Sequence, residues 1–320
     1  MFYSMTSFKF LMFLLSYIIL ILNVLIGVAF LTLFERKILS YVQFRKGPNK
    51  LGFMGLMQPF SDGIKLFSKE YLVGYKMNYL IYLISPLFVF MLSLLIWVLF
   101  PFMFNLWQID LGVLMLLSVF GVGAYFIIYS GWASNSLYSL LGALRAIAQS
   151  ISYEVSLALM LIIFVILSDS FNFVSIMIYQ NNFYLGVCMI PIFFMFIISS
   201  LAELNRSPFD FVEGESELVS GFNIEYSSGM FAFLFLGEYS MILFFSAAWM
   251  FLFIGVMWFS VICYFLVIVN YSLIILIRGT YPRFRYDKLM MLAWKMFLPF
   301  ILHYLIFILG VKFFMLFMLL

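Results

Sequence analysis

The chain has 320 residues, of which 66% are hydrophobic and 10% are charged, and its formal net charge is +3. A soluble globular domain contains roughly a quarter charged residues, so this composition excludes that class and indicates a polytopic membrane protein. The small net charge gives no reason to expect a nucleic-acid partner.

Eight stretches of the chain are long and apolar enough to be membrane spans. A helix needs about 20 mostly apolar residues to cross the hydrocarbon core of a bilayer. Because the alternating pattern of β-barrel strands is absent, we predict an all-α polytopic membrane protein, with eight transmembrane helices in a single transmembrane domain over residues 1–320. The predicted spans are 10–34, 79–102, 111–132, 151–168, 184–201, 230–251, 255–277 and 292–316.

The basic residues are concentrated in alternate connections between these spans. All but three of the 17 lysines and arginines fall in four connections. Under the positive-inside rule, these connections share the cytoplasm-equivalent side of the membrane, and both termini lie on the opposite side. The four connections are 35–78, 133–150, 202–229 and 278–291.

The first of these connections contains a predicted amphipathic helix. After a Gly-Pro break, apolar residues recur at helical spacing from Phe53 to Phe67, and Asp62 belongs to the polar face. This pattern predicts a helix that lies at the membrane interface and bends near Pro59. Membrane anchoring is one possible role, and forming a wall of an access slot for a lipid-soluble molecule is the other.

Three neighbouring predicted spans each carry one glutamate. Glu154 begins the fourth span, Glu203 ends the fifth, and Glu238 lies about 12 Å along the sixth. Carboxylates within membrane spans are rare and are functional candidates. We predict that all three lie in the same half of the bilayer, where they could hold and pass protons. The alternative is that each is protonated, or paired with an arginine, and only ties helices together.

The connection 202–229 collects six of the 14 acidic residues of the chain. A solvated acidic loop is the usual interpretation of such a segment. Here, however, apolar residues such as Phe209 and Phe222 are interleaved with the acids, which indicates a segment that folds back into protein. The six acids are Glu203, Asp210, Glu213, Glu215, Glu217 and Glu225.

The potential metal ligands of the sequence are scattered. Cys188 and Cys263 are isolated in apolar spans, and His303 is the single histidine. Iron–sulfur clusters and structural zinc sites need several clustered ligands, and a bis-histidine haem needs a second histidine. We therefore expect no cofactor to be held by this chain.

Five motifs, in order along most of the chain, resemble those of the subunit 1 family of NADH:ubiquinone oxidoreductase, respiratory complex I, in forms similar to the arthropod mitochondrial ones. The long acidic motif is the most specific of the five. The motifs are LTLFERKILSYVQFRKGPNKLG, QPFSDGIKLFSKE, ALRAIAQSISYEVSLAL, LAELNRSPFDFVEGESELVSGFNIEYSSG and RGTYPRFRYDKLMMLAWK.

The resemblance implies a subunit of the mitochondrial inner membrane that forms the membrane part of the ubiquinone tunnel. The connections 35–78 and 202–229 would then face the matrix, and both termini the intermembrane space. Ubiquinone is the implied substrate, while iron–sulfur clusters and FMN belong to partner subunits, so this chain alone has no complete active site. The implied partners are the hydrophilic subunits at the quinone site, small membrane subunits and membrane lipid.

The resemblance also assigns residues to two sites. On the predicted amphipathic helix, Phe60 is expected to face the isoprenoid tail of the quinone. The other residues of the quinone cavity are Arg36, Asp62, Glu213, Glu215 and Arg285. The acidic path toward the pumping subunits consists of Glu154, Glu203, Glu217, Glu225 and Glu238.

Two other functions are compatible with the same residues. A related membrane subunit of a hydrogenase-like complex would need partners with a nickel–iron centre, so the co-purifying proteins would distinguish it. A stand-alone proton-coupled transporter would be active as the purified chain and is expected to contain inverted repeats. A purely scaffolding role leaves the intramembrane acids unexplained.

Overall fold

The computed structural model describes residues 2–71, 73–100, 109–180, 184–211, 214, 221–255 and 260–319, with side chains from residue 11 to residue 318. The described residues form helices and no strand. In chain order the helices are α1 (Phe2–Val42), α2 (Gln58–Ser68), α3 (Tyr79–Leu95), α4 (Gly112–Ala133), α5 (Leu137–Ser168), α6 (Phe173–Tyr179), α7 (Leu185–Cys188), α8 (Ile190–Glu203), α9 (Ser228–Phe253), α10 (Val261–Thr280), α11 (Tyr286–Met291) and α12 (Leu298–Leu319).

Short non-α turns extend or join several of these helices. Three 3-10 turns cover Phe53–Gly55, Ile96–Leu99 and Gly221–Asn223. A π-helical turn over Leu292–Phe297 joins α11 to α12, so that the two helices form one continuous rod.

Within the described part of the chain, seven helical segments are long and apolar enough to cross a membrane. They correspond to seven of the eight predicted spans and confirm an all-helical membrane-type fold. The segments are Leu11–Val42, Tyr79–Leu99, Gly112–Ala133, Leu137–Ser168, Ser228–Phe253, Val261–Thr280 and Tyr286–Met318.

The predicted fifth span, 184–201, is the exception. The helix is interrupted at Met189, and α8 has 14 residues, which extend about 21 Å and fall short of a hydrocarbon core of about 30 Å. Pro191 lies in the first turn of α8 and has no backbone N–H to donate to the preceding turn, so α7 does not continue into α8. The count of eight spans therefore stays a prediction.

One predicted boundary and one predicted bend were wrong. The helix α5 begins at Leu137 rather than at residue 151, because leucine, alanine, arginine and glutamine favour a helix even where the hydropathy is too low for a span. The predicted bend near Pro59 is also absent: α2 begins at Gln58, so the proline lies in its first turn, where a missing N–H costs nothing.

The helices α5 and α9 form the centre of the bundle. In the most apolar stretch of each, 50% of the residues are buried, against 11% in α1 and in the last helix. The helix α5 packs against α4, α8 and α12, while α9 packs against α3, α1 and α10. Two of the candidate glutamates, Glu154 and Glu238, belong to these central helices.

Glycine allows α5 to approach its neighbours closely. A Cβ on Gly131 of α4 would lie 2.4 Å from the Cβ of Ala143, so only glycine permits this separation between α4 and α5. A Cβ on Gly142 would lie 3.1 Å from the Cα of Gly221, which belongs to the acidic connection 202–229. This part of the acidic connection thus packs against α5.

At its other end, α5 is tied to the last helix. Lys312 of α12 forms an ion pair with Asp169 and donates a hydrogen bond to the carbonyl oxygen of Ile166. Asp169 follows the last residue of α5 in a left-handed conformation, with φ of 55°. The lysine thus offers a positive group to the negative end of the helix dipole.

Candidate functional site

An ion pair joins α2 to α1. The Nη1 atom of Arg36 lies 2.6 Å from Oδ2 of Asp62, and Nε2 of Gln58 donates to Oδ1 of the same carboxylate at 3.0 Å. Both charged side chains are partly exposed, and exposed pairs contribute about 0–1 kcal/mol. The pair therefore orients α2 more than it stabilises the fold.

The apolar face of α2 is only partly covered. The ring of Phe60 meets that of Phe30 edge-on at 6.0 Å, and Phe67 meets Phe233 of α9 at 6.2 Å. Even so, half of the surface of Phe60 and 70% of that of Ile64 stay exposed. This surface is available to lipid or to another apolar molecule.

Glu35, which sequence reasoning did not select, lies at the centre of a buried ionic cluster. Its side chain is 7% exposed; Oε2 accepts a hydrogen bond from the Tyr239 hydroxyl at 2.6 Å, and Oε1 pairs with Arg278. Arg206 lies 4.0 Å from both Glu35 and Glu238, with its guanidinium 4.6 Å from the centre of the Tyr239 ring. Two carboxylates and two guanidinium groups thus compensate one another's charge, as buried ions require.

A helical repeat in α1 was the signal that could have revealed Glu35. The predicted span ended at Phe34, but the helix continues to Val42. Val24, Val28 and Glu35 are buried and lie on one face at helical spacing. The resemblance assigned a role to Arg36 but none to the acid beside it.

A cavity of about 80 Å³ lies between α3, α4, α9 and the end of α8. Glu203 and Glu238 line it, together with Asn205 and Ser150. Neither Oε2 of Glu203 nor Oδ1 of Asn205 accepts a hydrogen bond from any residue that the structure describes. The volume is sufficient for several water molecules, and buried acceptors of this kind are the groups that buried water satisfies.

Glu154 extends this group of acids to α5. Its Oε1 faces α4, where a Cβ on Gly121 would lie only 3.0 Å away. The carboxylate is close enough to that of Glu203 for the two to interact electrostatically. The structure therefore places Glu203 and Glu238 around one cavity, with Glu154 within electrostatic range of Glu203.

The middle of the acidic connection, with Glu213, Glu215 and Glu217, lies outside the described residues. Its last acid, Glu225, is held through its backbone, because the carbonyl oxygen accepts a hydrogen bond from the Tyr82 hydroxyl at 2.8 Å. The next residue, Tyr226, stacks on Tyr82 with ring centres 4.4 Å apart. This pair attaches the end of the connection to α3.

The arginines that precede α11 have separate partners. Arg285 pairs with Asp287 at 3.0 Å, and both side chains are largely exposed. Arg283 pairs at 3.3 Å with Asp210 of the acidic connection. Among the described residues no ion pair joins Arg285 to Asp62, so their convergence at one cavity stays a prediction.

The fold and site together define a class: a helical membrane protein with acids and arginines buried between its helices. The sequence matches the family model for NADH dehydrogenase over residues 15–309. It is 53% identical to NADH-ubiquinone oxidoreductase chain 1 of Aedes aegypti, over 94% of this chain and 96% of that protein. The identity is 51% with the Locusta migratoria protein (94% and 96%) and 46% with that of Monodelphis domestica (90% and 93%). The chain belongs to the NADH dehydrogenase family, which confirms the resemblance read from its motifs.

Proposed function

We propose that the chain is the membrane subunit of NADH:ubiquinone oxidoreductase that forms the membrane part of the ubiquinone tunnel and the start of an acidic path for proton coupling. The supporting observation is the series of buried and partly buried ionisable groups that runs from Glu35 on α1 to Glu154 on α5. The chain acts in the mitochondrial inner membrane with both termini in the intermembrane space. Partner subunits supply FMN and the iron–sulfur clusters.

The quinone end of this site lies at α2. The exposed apolar surface of Phe60 and Ile64 suits an isoprenoid tail, and the Arg36–Asp62 pair places charged groups at its border. Arg285 is exposed. We propose that it offers a fixed positive charge to a reduced quinone or to one of the acids Glu213 and Glu215. Glu213 and Glu215 complete the proposed cavity.

The coupling end lies in the buried ionic cluster and the cavity beside it. Reduction of a quinone changes the local charge and the demand for protons. Among the described residues the cluster contains two positive and two negative groups in a medium that screens charge poorly, so such a change alters the balance between them. Glu203, Glu238 and Glu154 would carry this response inward, and we assign Glu217 and Glu225 to the same path.

The hydrogenase-like subunit and the stand-alone transporter have weaker support. The family match and the names of the relatives favour NADH:ubiquinone oxidoreductase. No contact among the described residues specifically favours either alternative. The experiment that separates a complex subunit from a transporter is identification of the proteins that co-purify with the chain.

Charge-removing substitutions test the acidic path. In Glu154→Gln and Glu238→Gln the amide keeps the shape of the side chain but cannot ionise, so we expect assembly and quinone binding to persist while proton-coupled turnover falls by roughly tenfold or more. Proton translocation and NADH:quinone turnover per assembled complex are the measurements. Glu70→Gln, an exposed residue after α2, is the control and should behave like the wild type. Equal loss of assembly in both intramembrane variants would instead favour acids that only tie helices together.

A further inference from the structure

Gln149 connects the two sides of a short turn that carries Glu203 and Arg206. Its side chain is fully buried in α5, and Nε2 donates one hydrogen bond to the carbonyl oxygen of Ala202 at 2.8 Å and one to that of Phe209 at 2.9 Å. Because a carbonyl oxygen can only accept, these contacts fix the orientation of the amide. One side chain of α5 therefore holds both sides of the turn.

The turn itself is tightly folded. The backbone nitrogen of Asn205 donates to the carbonyl oxygen of Ala202 at 3.2 Å, and that of Phe209 donates to the carbonyl oxygen of Arg206 at 2.8 Å. Asn205 has φ of 51°, in the left-handed region. Within this turn, Glu203 lines the cavity and Arg206 reaches the buried ionic cluster.

The helix that carries Gln149 also carries Glu154, five residues and about 7.5 Å further along its axis. A buried amide with both N–H groups bonded to one turn fixes the position of that turn along the helix. It thereby sets the separation between Glu154 on α5 and Glu203 at the end of α8. No other side-chain hydrogen bond from α5 to residues 202–209 is present in the described structure.

We propose that Gln149 is a positioning residue for proton-coupled quinone reduction. Its two hydrogen bonds hold Glu203 and Arg206 in register with Glu154 and Glu238, while its own side chain exchanges no proton. This inference rests on the proposed function, because the register matters only if those charged groups take part in coupling.

Gln180 provides a matched control in the same chain. It is also buried, and its Nε2 also donates to two backbone carbonyl groups, those of Phe251 at 3.0 Å and Leu252 at 2.9 Å. These groups belong to the far end of α9. Replacing either glutamine with methionine removes the same kind and number of hydrogen bonds at nearly constant side-chain volume.

The experiment compares Gln149→Met with Gln180→Met in the assembled complex. For Gln149→Met we expect NADH:quinone turnover per complex to fall by roughly tenfold, with an unchanged KM for a short-chain quinone and unchanged NADH oxidation by an artificial acceptor. Gln180→Met should retain wild-type turnover. Equal losses in the two variants, or wild-type turnover in Gln149→Met, would overturn the proposal.

A second variant covers the case in which Gln149→Met does not assemble. In Gln149→Glu the protonated carboxyl can still donate one hydrogen bond, whereas the ionised form faces two carbonyl oxygens. Turnover relative to the wild type should therefore rise as the pH falls. The neighbouring charged groups Glu154, Glu203, Arg206 and Asp210 are present in both proteins, so a difference between the two pH profiles is caused by the group at position 149. A wild-type pH profile, or failure of both variants to assemble, would assign Gln149 a role in folding alone.

A parallel Glu203→Gln variant separates this inference from the proposed function. If Glu203→Gln retains full coupled turnover, the acidic path itself is wrong. If Glu203→Gln is inactive while Gln149→Met is fully active, the path stands and only the role of Gln149 fails.

Discussion

At the residue scale, the charged groups of the molecule fall into two kinds with different energies. Arg36 and Asp62 meet near the surface, where water screens their attraction. Glu35 is buried and has three partners on other helices or turns: Tyr239, Arg278 and Arg206. Removing one member of a buried ionic group leaves an uncompensated charge and costs about 3–5 kcal/mol, against about 0–1 kcal/mol for an exposed pair.

This contrast predicts the effect of Glu35→Gln. The negative charge beside Arg206 and Arg278 would then be lost, so we expect a strong loss of assembled complex or a lower thermal midpoint of the purified complex. Tyr239→Phe removes one hydrogen bond to a charged group and should cost less, about 1.5–3 kcal/mol. Asp62→Asn should leave the midpoint nearly unchanged. If Glu35→Gln is no more harmful than Asp62→Asn, the buried cluster contributes no more than a surface pair.

At the element scale, α2 is held by few contacts. The Arg36–Asp62 pair and two edge-on aromatic contacts fasten it to α1 and α9, and none of its residues is fully buried. Elements with so little buried surface open at low free-energy cost. The Arg36–Asp62 pair, which contributes little to stability, therefore orients an element that can move at low free-energy cost.

The variant Arg36→Gln tests whether the ion pair with Asp62 positions α2 for quinone binding. Loss of the ion pair should loosen α2 and raise the KM for a short-chain quinone several-fold. We expect kcat to stay unchanged, because the binding of the ground state and of the transition state is weakened equally. NADH oxidation by an artificial acceptor should persist, because that reaction bypasses the membrane subunit. Lys65→Gln removes an exposed charge from the same helix and is the control. An unchanged KM and unchanged sensitivity to quinone-site inhibitors would place the quinone elsewhere.

The success of the sequence-based prediction also varied from element to element. Hydropathy located seven long helices, since lipid-facing segments must be continuously apolar. It placed the end of α1 before Glu35 and the start of α5 after Gln149, because charged and polar residues lower hydropathy without ending a helix. The break at Pro191 was also visible in the sequence as a helix-ending signal, but hydropathy averages over it.

The candidate site was only partly predictable for a related reason. The three intramembrane glutamates were recognised because carboxylates in apolar spans are unusual. The partnership of Glu35 with Tyr239 and Arg278 joins residues more than 200 positions apart, and no local pattern specifies it. Tertiary packing alone determines which charged groups meet.

At the scale of the whole molecule, charges gather at both ends of the bundle. The buried cluster unites Glu35, Arg206 and Arg278, from three of the four connections predicted to share one side. The pair of Lys312 with Asp169 joins two segments predicted on the other side. These contacts agree with the predicted alternation of sides, while the side that faces the matrix stays a prediction.

Labelling with a membrane-impermeant maleimide tests that orientation. In a Cys188→Ser background, Lys69→Cys should react only after the inner membrane is opened, because its connection is predicted on the matrix side. Phe171→Cys, which is partly exposed after α5, should react in intact mitoplasts. The reverse pattern would invert the topology.

The equal separation of Arg206 from two carboxylates has a further consequence. Its Nη1 atom lies 4.0 Å from Glu35 on α1, and its Nη2 atom lies 4.0 Å from Glu238 on α9. Neither distance is that of a closed hydrogen bond, which is about 2.7–2.9 Å for a charged pair. A displacement of little more than 1 Å toward either acid would close one contact and lengthen the other. Both helices thus attract one guanidinium group, and a change in the charge of either acid would alter the balance between these two attractions.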